Sequence, residues 1–254
     1  NKTITSYFNK LNEKYQNEIV LAGKTGNGMY GLYQKENTAK INSEKNYDTY
    51  VFKDKYDSIS YDLDTANVNR ANNYFKSEFI SDKTILLWIL PTSQTIVGQE
   101  NIIIFGKNIV DSQGSLTNKS IANLYVTEDG KLAYRTSGST TLKGETTSMI
   151  KPNEWNLIGI SINRKNQNKK SHCKIMLNEE ITSSFEIDEK VEDIKYLTIA
   201  NKLETNTTIQ TTSNQNPNDN LLKIPFELTM IMIGIDQYTQ SDIKQIYREG
   251  KEVL

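Results

Sequence analysis

The chain is short of the residues from which chemistry is most easily read. It carries one cysteine, Cys173, and one histidine, His172, in 254 residues. A lone cysteine forms no internal disulfide, so the fold must rest on its core. The two residues are adjacent, and neighbouring side chains on a strand point to opposite faces, which argues against a Cys–His dyad. The same scarcity excludes a zinc site built from Cys and His. An excess of charge of one sign is also missing: 30 basic residues face 31 acidic ones, for a net charge of −1. No field is therefore available to gather nucleic acid or an anionic membrane surface, and neither is expected as a partner. No run approaches the roughly 18 apolar residues needed to cross a bilayer as a helix, so membrane insertion is not expected either. The first residues, NKTITSYFNK, lack both an initiator Met and the apolar stretch of a signal peptide. The expectation is a piece of a longer chain or a processed product.

What is present is strand periodicity between two helical ends. Ile4, Phe8, Leu11 and Tyr15 recur at helical spacing and predict a lead-in helix or linker over residues 1–18. In TQSDIKQIYREG, Thr239 or Ser241 suits an N-cap, Asp242 the first turn, and Ile243, Ile246 and Tyr247 one face, with Gly250 at the expected stop. The segments TILLWILPT, NIIIFGKN, IANLYVTEDGKLAYRTS, NEWNLIGISINR, CKIMLNEEITSSFEI, IKYLTIAN and FELTMIMIGIDQY are rich in β-branched and aromatic residues and bounded by turn residues. Glu128 to Lys131 and Asn178 to Glu180 read as hairpin turns. LLWIL and LTMIMIGI are apolar at consecutive positions, which requires cover on both faces and points to central strands of two packed sheets. Glu204 to Asn220 is a long polar loop between strands.

The order of these segments resembles the concanavalin A-like, laminin G-like jelly-roll family. The resemblance runs from about residue 20 to residue 252. It rests on a Pro-x-x-x-Trp turn at Pro152 and Trp155, a strand with Trp88, a hairpin turn at Asn178-Glu179, and Tyr247 with Gly250 closing the last helix. The lectin-like jelly roll of clostridial neurotoxin binding regions has a similar order, with a Tyr-Phe-Asn lead-in like Tyr7-Phe8-Asn9. The resemblance implies an all-β antiparallel sandwich with a short helix near each terminus, one jelly-roll domain over residues 19–254.

Gly23-Lys24-Thr25 in LAGKTGNGMYG looks like the end of a phosphate loop, but Glu18 stands where such a loop needs its first glycine. The family's first turn is the better reading. FEIDEKVED places Glu186 and Asp188 in step, as in glucanases of this fold, yet Lys190 occupies the third carboxylate's position. A solvated acidic strand end is the stronger reading, and the chain is expected not to be an enzyme. No cofactor is expected. Calcium alone is left open, through Asn108 and Asp111 or Asn218 and Asp219, although ordinary loop polarity explains them better. Arg164, Lys165, Lys169 and Lys170 suit a solvated hairpin tip, with an anionic sugar or phosphate as the alternative. Trp88 and Trp155 read as core. Tyr134 with Arg135 is the candidate surface pair for a sugar; Tyr125 and Tyr134 flank the same hairpin, and burial of both is the alternative.

The function this supports is a non-catalytic module that binds a cell-surface glycan or glycoprotein, with Tyr134, Arg135, Asn108 and Asp111 as candidate ligand-binding residues. Further domains or subunits of a parent protein are the other expected partners. The resemblance places that parent outside the cell, in a cell wall or on a virion. The abundance of Asn, Lys and Ile suggests an AT-rich genome, as in a low-GC bacterium or its phage. A structural or assembly module, and less readily a glucanase-type hydrolase, are the alternatives.

Overall fold

A computed structural model describes residues 3–15, 18–21, 33–37, 40–42, 47–54, 59–62, 83–91, 101–110, 112–114, 116–137, 139, 141–163, 170–189, 196–199, 221–234 and 238–254. The chain opens with helix α1 (Ile4–Tyr15) and strands β1 (Glu18–Leu21), β2 (Tyr33–Asn37), β3 (Lys40–Asn42), β4 (Thr49–Asp54) and β5 (Ile59–Asp62). The middle holds β6 (Lys83–Pro91), β7 (Asn101–Val110), β8 (Leu116–Val126), β9 (Lys131–Thr136), β10 (Gly144–Met149) and β11 (Asn156–Asn163). It closes with β12 (Ser171–Leu177), β13 (Glu180–Ile181), β14 (Phe185–Ile187), β15 (Tyr196–Ile199), β16 (Leu221–Gly234) and helix α2 (Gln240–Lys251).

The strands pair antiparallel into two sheets. One runs β13-β12-β11-β6-β16-β4-β3, with β1 also on β16 and β14 on β12; the other runs β10-β9-β8-β7-β15-β5-β2. The expected all-β sandwich with a helix near each end is what forms. The two consecutive apolar runs are central strands of the same sheet. They are β6 and β16, paired side by side with Leu87 opposite Ile231.

Alternation along these two strands explains the need for cover on both faces. Ile85, Leu87 and Ile89 of β6 and Leu228, Ile231 and Ile233 of β16 enter the core between the sheets, against Phe105 and Leu124 of the second sheet. Leu86, Trp88, Met230 and Met232 face the other way, into a second cluster with Ile4, Tyr7 and Leu11 of α1 and Ile243 and Ile246 of α2. The terminal helices thus roof the outer face of the nine-stranded sheet. Gly159 lies opposite Leu86 in the ladder, where a Cβ would collide with the leucine side chain and the Ile85 carbonyl. Each large apolar side chain so buried contributes roughly 1.5–3 kcal/mol.

The lead-in segment is therefore packed against the sandwich. Tyr7 Oη donates to the carbonyl of Ile246 at 2.8 Å and accepts from Trp88 Nε1 at 3.3 Å, joining α1, α2 and β6. Lys10 pairs with Glu249 at 2.5 Å. In α2 Thr239 is the N-cap: its hydroxyl accepts from Asp242 N at 3.2 Å while Asp242 Oδ2 accepts from Thr239 N at 2.9 Å. Gly250, expected at the helix stop, lies inside the last turn instead, and Glu252 is the C-cap. The role of Gly250 is contact with Trp88.

The two turns that carry the resemblance are locked together by amides. Asn156 Nδ2 donates to the carbonyls of Lys151 and Glu154, both at 2.8 Å, and its Oδ1 accepts from Lys151 N at 3.0 Å and from Asn178 Nδ2 at 3.1 Å. Asn178 Oδ1 accepts from Leu157 N at 3.0 Å, from a left-handed backbone with φ 56°. Asparagine tolerates that conformation better than most residues. Glu179, next in the turn, pairs with Arg248 of α2 at 2.8 Å. No helix among the described residues is long and apolar enough to cross a membrane.

Candidate functional site

The hairpin β8–β9 sorts its side chains by the period of two. Leu124, Val126, Leu132 and Tyr134 point into the core. Asn123, Tyr125, Ala133 and Arg135 occupy the alternate positions, on the opposite face. In the register Asn123 lies opposite Arg135 and Tyr125 opposite Ala133, which makes Tyr125 and Arg135 diagonal neighbours. The Arg135 guanidinium carbon sits 4.2 Å from the centroid of the Tyr125 ring. Strand β10 adds Glu145, paired with Ala133 in the ladder and so on the same face, where it reaches Lys131 at 3.5 Å.

This group is graded in exposure. Tyr125 is 5% exposed and Asn123 8%, whereas Arg135 and Lys131 are part-exposed and Glu145 is exposed. Burial raises the phenol of Tyr125 above its usual value, with the Arg135 charge pulling it down and Glu145 pushing it up. It stays protonated near neutrality. Asn123 Oδ1 accepts from Ser120 Oγ at 3.2 Å, and Ser120 in turn contacts Ser137 Oγ. The arrangement presents a planar guanidinium backed by an aromatic ring, with a carboxylate on one side and an amide on the other. Such a set can form several directed hydrogen bonds to a polyhydroxylated or carboxylated ligand. The ring face itself is taken by Arg135 and is not a free stacking surface.

Tyr134, half of the expected surface pair, belongs to the core. It is 1% exposed, its hydroxyl donates to Glu189 Oε2 at 2.9 Å, and its ring lies 5.9 Å from that of Phe185. Burial, then Cys173 and Glu189, push its phenol far above the usual range. Adjacent strand residues cannot share a face, so Tyr134 and Arg135 could not both be outside. The observed register, with Tyr125 opposite Ala133, makes Tyr125 the partner of Arg135. Asn108 is on β7 opposite Asn118, toward the other end of a ladder in which Asn101 is opposite Tyr125. The structure does not bring it together with Arg135. Asp111, Asn218 and Asp219 lie outside the described residues, as do Lys24, Arg164, Lys165, Lys169, Lys190 and the loop 204–220. Among the described residues no three His, Cys, Asp or Glu side chains gather as a metal site.

The acidic strand end is an ion-pair network. Lys170 reaches Glu186 at 2.8 Å and Asp188 at 3.4 Å, and Lys143 reaches Asp188 at 2.7 Å. The Lys170 ammonium holds the Glu186 carboxyl below its usual value, and Lys143 followed by Lys170 does the same for Asp188. A general acid in glycoside cleavage needs the opposite shift. Cys173 is fully buried, its thiol pushed well up by burial and then by Glu189, while His172 is part-buried and sits opposite Glu186 on β14.

By sequence the chain matches no family model and no curated relative. By structure it is similar to the binding domain of botulinum neurotoxin DC solved with rat synaptotagmin II, at TM-score 0.57 and 12% identity, covering 94% of this chain and 52% of that one. It is also similar to a botulinum neurotoxin type C structure describing cell entry dependent on two ganglioside molecules, at TM-score 0.56 and 12% identity, covering 95% and 52%. A Trypanosoma rangeli sialidase mutant displaying trans-sialidase activity matches at TM-score 0.56 and 8% identity, covering 93% and 33%. At these identities the likeness is one of fold. The chain spans about half the length of the neurotoxin structures.

Proposed function

We propose that this chain is a non-catalytic binding module of the lectin-like jelly-roll class that recognises a cell-surface glycan or glycoprotein through the outer face of its seven-stranded sheet. The observation that carries the reading is the Arg135 guanidinium laid over Tyr125 beside Asn123 and Glu145. A cation held over a ring gives up little side-chain entropy when it binds. The neurotoxin neighbours, described with synaptotagmin and with gangliosides, support glycans and glycoproteins as the class to test first. They also favour a parent that works outside the cell. In this reading residues 19–254 form the binding domain and α1 is its roof. The ion-paired Glu186 and Asp188 weigh against a glucanase-type hydrolase.

The test is a glycan and glycoprotein array probed with multivalent protein and with Arg135→Ala, both checked for folding. Binding by the native chain that Arg135→Ala loses is the expected result. No binding at high avidity would turn the reading toward a structural or assembly module, and new reducing ends from a polysaccharide panel would turn it toward an enzyme.

A further inference from the structure

Edge strand β10 is held to the opposite sheet by one carboxylate. Glu180, on β13, accepts from Thr147 N at 2.7 Å and Thr147 Oγ1 at 2.9 Å through Oε1, and from Ser148 N at 2.8 Å through Oε2. Successive amides of a regular strand point in opposite directions, so one side chain could not ordinarily cap both. Here the ladder to β9 breaks its register between Glu145, opposite Ala133, and Met149, opposite Lys131. Three residues of β10 then face one of β9, and the bulge frees Thr147 and Ser148 from β9. The segment is otherwise anchored at its two ends, where Thr146 Oγ1 accepts from Leu132 N at 3.1 Å and Met149 pairs with Lys131 in the ladder. Thr146 is buried, but Thr147, Ser148 and Met149 are exposed, Met149 by 58%.

We propose that Glu180 is a latch across the seam between the two sheets, and that neutralising its carboxylate releases the β10 segment Thr146–Met149 while the rest of the sandwich stays folded. Two amides would lose charge-assisted acceptors, and a segment with few apolar contacts is where local opening is least costly. The charged and titratable groups on elements packed against β13 are Glu145 on β10, His172, Cys173 and Lys174 on β12, and Asp242, Lys244, Tyr247, Arg248, Glu249 and Lys251 on α2. Glu145 is paired with Lys131 and Arg248 with Glu179, and the groups that act on Glu180 are the uncharged donors of Thr147 and Ser148. Burial draws this carboxyl upward, and those donors outweigh it, so it sits below the usual value of 4.5. A depressed acid stabilises above its unfolded value and loses that contribution as pH falls through the folded one. The latch holds near neutrality and lets go in acid.

Hydrogen exchange tests this, with protection factors at Thr147 and Ser148 measured against those at Ile158 and Ile160 of central strand β11. In Glu180→Gln near pH 7 both β10 amides should lose about tenfold or more of their protection while β11 keeps its own. The native chain should show the same selective loss as pH is lowered from about 7 to about 3. Unchanged protection at Thr147 and Ser148, or loss only in step with β11, overturns the latch. Should Glu180→Gln fail to fold, the pH series on the native chain decides alone.

Discussion

Gly250 packs directly on Trp88: a Cβ at that position would lie far inside van der Waals contact of the indole ring. Tyr247, one turn earlier, stacks on the same indole with ring centroids 5.8 Å apart and planes 12° from parallel. The glycine that looks like a helix stop is there because α2 must come this close to β6. Gly250→Ala is therefore expected to destabilise by about 1–3 kcal/mol through overpacking, although alanine is the better helix former by roughly 1 kcal/mol. Denaturant unfolding of the variant checks the sign. Trp88→Ala should cost more, roughly 3–5 kcal/mol.

Asn178 does two jobs that substitutions can separate. Asn178→Gly keeps the left-handed backbone and loses the bonds to Leu157 and Asn156; Asn178→Ala loses both. The expected order of stability is native, then Gly, then Ala, with the lost bonds costing about 1–3 kcal/mol. Midpoints measured at unchanged m-value would establish it.

Arg135 is expected to matter for binding and little for folding. Its contact with Tyr125 is worth about 0.5–1 kcal/mol at such a site, so Arg135→Ala should leave the unfolding midpoint nearly unchanged. Arg135→Lys should not restore ligand binding, because an ammonium offers no planar fork. Calorimetric titration of a ligand found on the array, run with both variants, tests the pair.

The Asp188 carboxyl should titrate below the ordinary aspartate value of 3.8, and Lys143→Ala should bring it back up, since the Lys143 ammonium is the largest cause of its shift. The carboxylate resonance followed by NMR against pH gives the answer. Its sign follows from the depressed value: the interaction is present above the unfolded pKa and disappears as pH falls through the folded one.

Cys173 should be inert in the folded chain. It is fully buried and its thiol is held well above the usual value of 9.0, so little thiolate forms near neutrality. A thiol reagent should label it only at the rate of opening, and fast labelling under native conditions would contradict the placement.

Much of this architecture is written locally. The central strands announce themselves because their positions alternate between two covered faces, and Thr239 with Asp242 marks the start of α2 because a capping pair is a contact within four residues. The strands missed in the sequence include β2, β3, β4, β5 and β10, of which β2, β3 and β10 are edges of their sheets in the described topology. Edge strands are paired on one side and often carry polar residues, so YQKEN, KIN and GETTSM look like loops.

The sequence by itself determined that this is an antiparallel sandwich and where its central strands run, since period two is a property of the backbone. Only the tertiary structure decided that β6 and β16 are neighbours in one sheet, that α1 and α2 roof it, that Gly250 answers to Trp88, and that Arg135 pairs with Tyr125. Those are contacts between residues distant in the chain or on different strands. Alternation says that a strand has two faces, and it is silent about what comes to rest on each.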